Sequence, residues 1–169
     1  MVYVHELVLA GFVAILIAAA ANDFRRYLIP NSYVLAIAAL YPVHVLSAPG
    51  TVAWIPALAV AAVVFAIGAA FFAMKAMGGG DAKLLTVVAL WAGPQHIVAV
   101  TAVILAAAIA LAVAFALRLA VAEARTPAGF SIALAFANFR HAPILKLTVP
   151  YGVAVAAGGV YAALKLALG

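Results

Sequence analysis

Two aspartates, Asp23 and Asp81, are the side chains of this chain best placed to do chemistry. Asp23 follows the uncharged run 7–22, and Asp81 stands in the segment 77–85, which reads MGGGDAKLL. Each marks the boundary of an apolar helix, where ionisable groups usually face the interior of a helix bundle or a water-filled cavity. We therefore treat the two carboxylates as a candidate functional pair.

Two carboxylates within a few ångströms of each other do not both ionise at neutral pH, because their charges repel. The pair then holds one proton. The ionised carboxylate can deprotonate an attacking water while the protonated one donates to a carbonyl oxygen, which suits hydrolysis of a peptide bond. Such a pair titrates as a unit, so either aspartate remains eligible as the base.

Three glycines, Gly78, Gly79 and Gly80, directly precede Asp81. Glycine permits positive φ angles and close approach of another chain, so a substrate strand could lie beside Asp81. The alternative is a flexible turn between two membrane spans. The neighbouring aspartate favours the first interpretation.

The remaining titratable residues indicate no second chemistry. Glu6 and Glu123 are expected to be solvated surface charges. The absence of cysteine excludes disulfides, thiolate chemistry and zinc held by cysteine. The histidines lack the spacing of a metal site, so we expect no metal and no cofactor. They are His5, His44, His96 and His141.

The composition predicts an integral membrane protein. Of 169 residues, 71% are hydrophobic and 8% are charged, and the mean hydropathy is +1.32. Since roughly 20 helical residues cross the hydrocarbon core, we expect an all-α fold of six membrane helices in a single domain, residues 1–169. The predicted spans are 5–22, 31–47, 52–74, 82–94, 97–118 and 148–168.

The basic residues predict the orientation. With six spans, eight of the nine lie on the cytoplasmic side, as the positive-inside rule expects. If residues 84–117 crossed the membrane only once, five basic residues would lie inside and four outside. We therefore expect a break at Gly93 and Pro94. Both termini then lie outside, and Asp23 and Asp81 share the cytoplasmic face. The inner set is Arg25, Arg26, Lys75, Lys83, Arg118, Arg125, Arg140 and Lys146.

Basic residues beside spans are better explained by topology than by nucleic acid, so we expect no nucleic-acid partner. Arg25 and Lys83 are expected to be membrane anchors, and they could also favour the ionised form of the aspartate pair. Residues 119–146 are expected to contribute a helix on the cytoplasmic surface that covers the site.

With these motifs, the chain resembles the type IV prepilin peptidases, which are membrane-embedded GxGD aspartyl proteases. GGGDAK at 78–83 is similar to the second aspartate motif of that family, and DFRRYLIPN at 23–31 is similar to the first, including Pro30 and Asn31. VPYGVAVAAGG at 149–159 resembles the last helix of the small tight-adherence (Flp pilus) branch.

The resemblance implies that Asp23 and Asp81 are catalytic and that Gly78, Pro30 and Asn31 help to shape the site. It also implies a prepilin substrate of the Flp or type IV kind, cut between its basic leader and its apolar helix at the inner membrane of a bacterium. Larger family members carry a cysteine-bearing region and methylate the new amino terminus. Because this chain has no cysteine, we expect cleavage alone, with membrane lipid as the other partner.

Two other interpretations remain open at this point. A proton- or ion-coupled transporter would also place carboxylates in a membrane, although near its midplane. A non-catalytic subunit of a pilus assembly machine is the second. The sequence does not indicate an oligomeric state.

Overall fold

The computed structural model describes residues 2–124 and 150–168, and every regular element in these ranges is helical. Helices are found at four of the predicted positions: near the start of the chain, at 31–47, at 52–74 and near the end. The helices are α1 (Val2–Arg26), α2 (Asn31–Ser47), α3 (Trp54–Ala73), α4 (Gly79–Ala124) and α5 (Tyr151–Leu168).

Four segments of the described helices are long and apolar enough to cross a membrane: Tyr3–Arg26, Trp54–Ala73, Gly79–Arg118 and Tyr151–Leu168. Helix α2 is apolar but shorter. The helical membrane class is therefore confirmed. The count of six spans requires α2 to cross and α4 to cross twice, so that count stays a prediction, as does the position of the termini.

The backbone of α4 leaves the helical conformation at Gly93, where φ is 57° and ψ is −174°. This is the position at which the sequence predicts a break. Glycine tolerates the positive φ, and Pro94 then begins the next helical stretch, where its missing N–H is not needed. A straight helix of 46 residues would be roughly 69 Å long, about twice the ~30 Å hydrocarbon core.

The chain forms two compact units. The first comprises Met1–Ala107 and Pro150–Gly169, and the second is Ala108–Val149, of which only the end of α4 is described. The predicted surface helix within 119–146 falls largely outside the described residues. The prediction of a single domain over 1–169 also depends on that segment and stays a prediction.

Helix α1 packs against α2 and α5, runs antiparallel to both, and also contacts α4. The ring of Phe12 stacks on Trp91 of α4 with centroids 4.0 Å apart. The Trp91 indole N–H also donates to the backbone carbonyl of Ile37 in α2, at 3.2 Å. One aromatic residue thus ties α4 to two other helices midway along the bundle.

Helix α5 packs closely because it presents glycines to the other helices. A Cβ on Gly159 would lie 2.5 Å from Leu16 Cδ1 and 3.2 Å from Val88 Cγ2. Small residues allow such approach between membrane helices, where dispersion and not water exclusion drives packing. These contacts set the depth at which the first turn of α5 meets the end of α1.

Candidate active site

Asp23 lies in the last turn of α1, and its side chain is only 5% exposed. Its Oδ2 accepts a hydrogen bond from the backbone N–H of Gly152, at 2.9 Å. Gly152 belongs to the first turn of α5, whose free N–H groups form the positive end of the helix dipole. The start of α5 therefore holds one carboxylate oxygen in a fixed position.

The backbone of Gly152 reaches Asp23 because it has no side chain. A Cβ there would lie 2.8 Å from Asp23 Oδ2 and 2.7 Å from Ile29 Cδ1. Any larger residue would displace the Asp23 carboxylate, the Ile29 side chain or α5 itself. Gly152 is thus a site residue that the two aspartate motifs did not identify, although it stands in the Pro-Tyr-Gly stretch that carried the third part of the resemblance.

Asp81 lies in the first turn of α4, as the sequence predicts. Its side chain is half-buried, and its Oδ1 is buried with no hydrogen-bond partner among the described residues. Leaving an ionised oxygen without a partner in a buried place is costly, so this oxygen requires a proton, a water or a substrate group. A carboxyl in that condition is suited to exchange a proton with a ligand.

The two aspartates are linked through Ile29, which lies against Gly80, next to Asp81, and against Gly152, the donor to Asp23. Asp23 lies at the C-terminal end of α1 and Asp81 at the N-terminal end of α4, and these two helix ends are close together. The structure therefore brings the two predicted catalytic residues to the same end of the first unit.

The three glycines before Asp81 act through close approach and not through positive φ. Gly93 is the only glycine with a positive φ among the described residues, so the expectation of unusual backbone angles at 78–80 is wrong. A Cβ on Gly78 would meet Asp81 Oδ2 at 2.7 Å, one on Gly79 would meet Phe72 Cε2 at 3.2 Å, and one on Gly80 would meet Ile29 Cβ at 3.1 Å. Approach of a substrate strand stays a prediction.

Ile29 connects the two halves of the site. It belongs to the DFRRYLIPN motif but was not among the predicted site residues. It is 6% exposed. Its side chain contacts both Gly80, next to Asp81, and Gly152, which holds Asp23. The turn that carries Ile29 is itself fixed, since the Asn22 amide donates to the carbonyl of Leu28 and Tyr27 adopts a positive φ of 51° just beyond α1.

The polar residues of the two motifs also meet. Lys83 Nζ donates to Asn31 Oδ1 at 3.0 Å, which joins the first turn of α4 to the start of α2. Pro30 precedes α2 at its N-cap position, with φ of −60°. Arg25 is exposed. The described partner of Lys83 is thus an amide and not a carboxylate, which favours a positioning contact over direct influence on the aspartates.

Within residues 2–124 and 150–168, no three histidine or acidic side chains are grouped as metal ligands would be. The site consists instead of two acids, backbone N–H groups and apolar walls. These features define a helical membrane protein that joins two aspartates at one end of its bundle.

A protein-family model described as the type IV leader peptidase family matches residues 10–117. The match covers more than half of the 169 residues and includes both aspartate motifs. The chain belongs to the type IV leader peptidase family. Searches of curated proteins and of solved structures found no match.

The contact between Asn31 and Lys83 gives a test of the site geometry that does not depend on activity. The chain contains no cysteine, so Asn31→Cys with Lys83→Cys introduces a single pair, and both positions are exposed. We expect a short bis-maleimide to join them, giving a faster-migrating band on a denaturing gel of membranes.

The matched control is Glu6→Cys with Lys83→Cys, because Glu6 is exposed near the opposite end of α1. Efficient cross-linking of this control pair, or failure of the 31 and 83 pair to react while each single cysteine is labelled, would contradict the arrangement.

Proposed function

We propose that the protein is an aspartic endopeptidase that removes the basic leader of a prepilin at the cytoplasmic face of a bacterial inner membrane. Membership of the leader peptidase family supports the peptidase activity. The observation that carries the catalytic assignment is the convergence, around Ile29, of the buried Asp23 and the half-buried Asp81, which come from helix ends far apart in sequence.

In this proposal the two carboxyls share one proton, because a second negative charge in the same buried place is disfavoured. The ionised carboxylate takes a proton from water as the water oxygen attacks the scissile carbonyl carbon. The other carboxyl donates its proton to the carbonyl oxygen. When the tetrahedral intermediate collapses, the C–N bond breaks and the leaving amine takes the proton that the pair received from water, while one hydroxyl of the intermediate returns its proton to the other carboxylate as the C=O bond re-forms. The pair is left with one proton, as at the start.

The surrounding contacts would keep the pair in position during these steps. Gly152 fixes one oxygen of Asp23, whereas Oδ1 of Asp81 has no described partner and remains able to meet a ligand. The pairing of Lys83 with Asn31 and the packing of Ile29 would hold the helix ends at a constant spacing. Fixed geometry of this kind supplies much of the rate enhancement in enzymes.

The substrate assignment follows from the position of the pair at a helix boundary. A prepilin has an apolar helix that can lie against the bundle and a basic leader that stays with the positive-inside face. Apolar side chains near the site are exposed, among them Phe24, Leu28 and Phe72, and they provide a surface for such a helix. We assign the protein to the tight-adherence (Flp) branch and expect cleavage without methyl transfer.

Replacing either aspartate tests the proposal. Asp23→Asn and Asp81→Asn each keep the side-chain shape but remove the proton exchange, so we expect cleavage of a co-expressed Flp-type prepilin to fall by at least about 100-fold. Processing is measured by gel mobility and by sequencing of the new amino terminus.

The matched control is Glu6→Gln, an acid-to-amide change at the other end of α1, which is expected to process the prepilin at the normal rate. Normal processing by either aspartate variant, at equal expression in the membrane, would show that the residue concerned is not catalytic.

A second prediction concerns Gly152. In Gly152→Ala the new methyl group would contact Asp23 Oδ2 and Ile29 Cδ1, and we expect α5 to shift and the cleavage rate to fall by roughly tenfold, as displacement of a catalytic group does. Gly50→Ala is the control, because a Cβ there meets nothing within 4 Å. Equal rates for the two variants, at equal membrane expression, would argue that the Gly152 contact has no part in catalysis.

A further inference from the structure

A cavity of about 270 Å³ lies in the first unit, away from the aspartates. Its inner wall includes His5, Tyr41, His44 and Trp91, which are all at least nine-tenths buried. Its rim carries exposed residues, including Gly50 and Lys165. The cavity is therefore a pocket with a buried floor that opens at the surface.

This pocket and the aspartate pair occupy opposite ends of the bundle. On α1, His5 and Asp23 are eighteen residues apart, which corresponds to roughly 27 Å of helix. Helix α5 also reaches both ends: Gly152, which contacts Asp23, is in its first turn, and Lys165, which lines the pocket, is in its last turn. The pocket is thus a separate feature and not an extension of the candidate active site.

Three buried polar atoms of residues that line the pocket have no hydrogen-bond partner among the described residues: His5 Nδ1, His44 Nδ1 and the Tyr41 hydroxyl. The rings that carry them are close together, with centroids 5.1 Å apart for His5 and His44 and 5.9 Å apart for Tyr41 and His44. Buried polar groups without a partner are rare, and each normally indicates a water, an ion or a ligand. A cluster of three indicates a polar occupant.

The charge of the lining indicates what kind of occupant fits. The pocket is lined by Lys165 and three histidines, His5, His44 and His96, together with the hydroxyl of Thr51 and the amide of Gln95. None of the lining residues is acidic. Since a lysine offers donors only and the neutral polar groups can also donate, the lining favours an anion.

A metal ion fits the lining less well. The two close histidines supply at most two imidazole ligands, and the described residues include no group of three metal-ligating side chains. Zinc sites in proteins have three or four such ligands. The lysine at the rim would also repel a cation.

We propose that this pocket binds a phosphate group, taken either from free inorganic phosphate or from the headgroup of an anionic phospholipid. A phosphate presents several acceptor oxygens in different directions, which matches donors placed on four helices and a loop. The volume lies just below the range of roughly 300–1,000 Å³ that drug-sized ligands occupy, so a small group fits. The phosphate of an anionic lipid headgroup offers the same acceptor oxygens as the free anion.

Thermal unfolding of the full-length protein tests the proposal with two probes. Inorganic phosphate is titrated into protein in a neutral detergent, against sodium chloride of equal ionic strength. In parallel, the protein is placed in nanodiscs of phosphatidylcholine with or without phosphatidylglycerol. A ligand that binds only the folded state raises the unfolding temperature in a saturable way.

The variant is Lys165→Gln, and its matched control is Lys75→Gln, another exposed lysine, which does not line the pocket. We expect a saturable rise in unfolding temperature, with a half-saturating concentration about tenfold higher in Lys165→Gln, because a charged hydrogen bond is lost. We expect Lys75→Gln to resemble the unmodified protein. Both variants are expected to retain prepilin cleavage.

The outcomes separate the two sources of phosphate. A rise with inorganic phosphate in detergent supports binding of the free anion, whereas a rise that occurs only with phosphatidylglycerol supports the headgroup. No rise with either probe, an equal rise with chloride, or equal effects of the two lysine variants would overturn the proposal. Stabilisation by zinc chloride without any response to phosphate would also overturn it.

Tyr41→Phe provides a second test. If the Tyr41 hydroxyl had only a structural role, its removal would not change the response of the unfolding temperature to the ligand. Without a ligand, loss of a hydroxyl that has no described partner is expected to leave the unfolding temperature unchanged or raised. With phosphate or phosphatidylglycerol present, the stabilisation is expected to be smaller than in the unmodified protein. An unchanged ligand response would show that the hydroxyl does not contact the occupant and would contradict this placement of the ligand.

Discussion

The hydrogen bond from the first turn of α5 to Asp23 is the interaction on which the site depends. It joins residues separated by 129 positions, and it forms only because Gly152 lets the two backbones approach. A buried carboxylate needs such a donor, since an unpaired charge in an apolar bundle is strongly disfavoured. The same contact places Asp23 beside Ile29, whose other side meets the glycine next to Asp81.

The bundle carries different chemistry at its two ends. At one end, Asp23 accepts a backbone N–H and lies near Asp81; at the other, three buried polar atoms belong to residues of a pocket that Lys165 also lines. The apolar middle, in which Phe12 stacks on Trp91, separates them and fixes the helix spacing that both ends use. Membership of the leader peptidase family accounts for the acidic end. The basic end is explained by neither aspartate motif.

Much of this arrangement was predictable from the residue pattern. Apolar runs and the positions of Asp23 and Asp81 predict membrane helices with acids at their ends, and the break at Gly93 agrees with the structure. Contacts between distant segments were not predictable, because the motifs that contain Ile29 and Gly152 do not indicate which residues these two contact. The histidines were expected to be scattered, yet His5 and His44 meet because α1 and α2 run antiparallel.

The most direct test of the central claim is infrared spectroscopy of the protein in a detergent without ester groups at neutral pH, because a protonated carboxyl has a carbonyl stretch that an ionised one lacks. With only four acidic side chains in the chain, the spectrum is simple to assign. If Asp23 and Asp81 share one proton, one such band is expected, and it is lost in Asp23→Asn and in Asp81→Asn but kept in Glu6→Gln. Absence of the band, or its persistence in both aspartate variants, would contradict the shared proton.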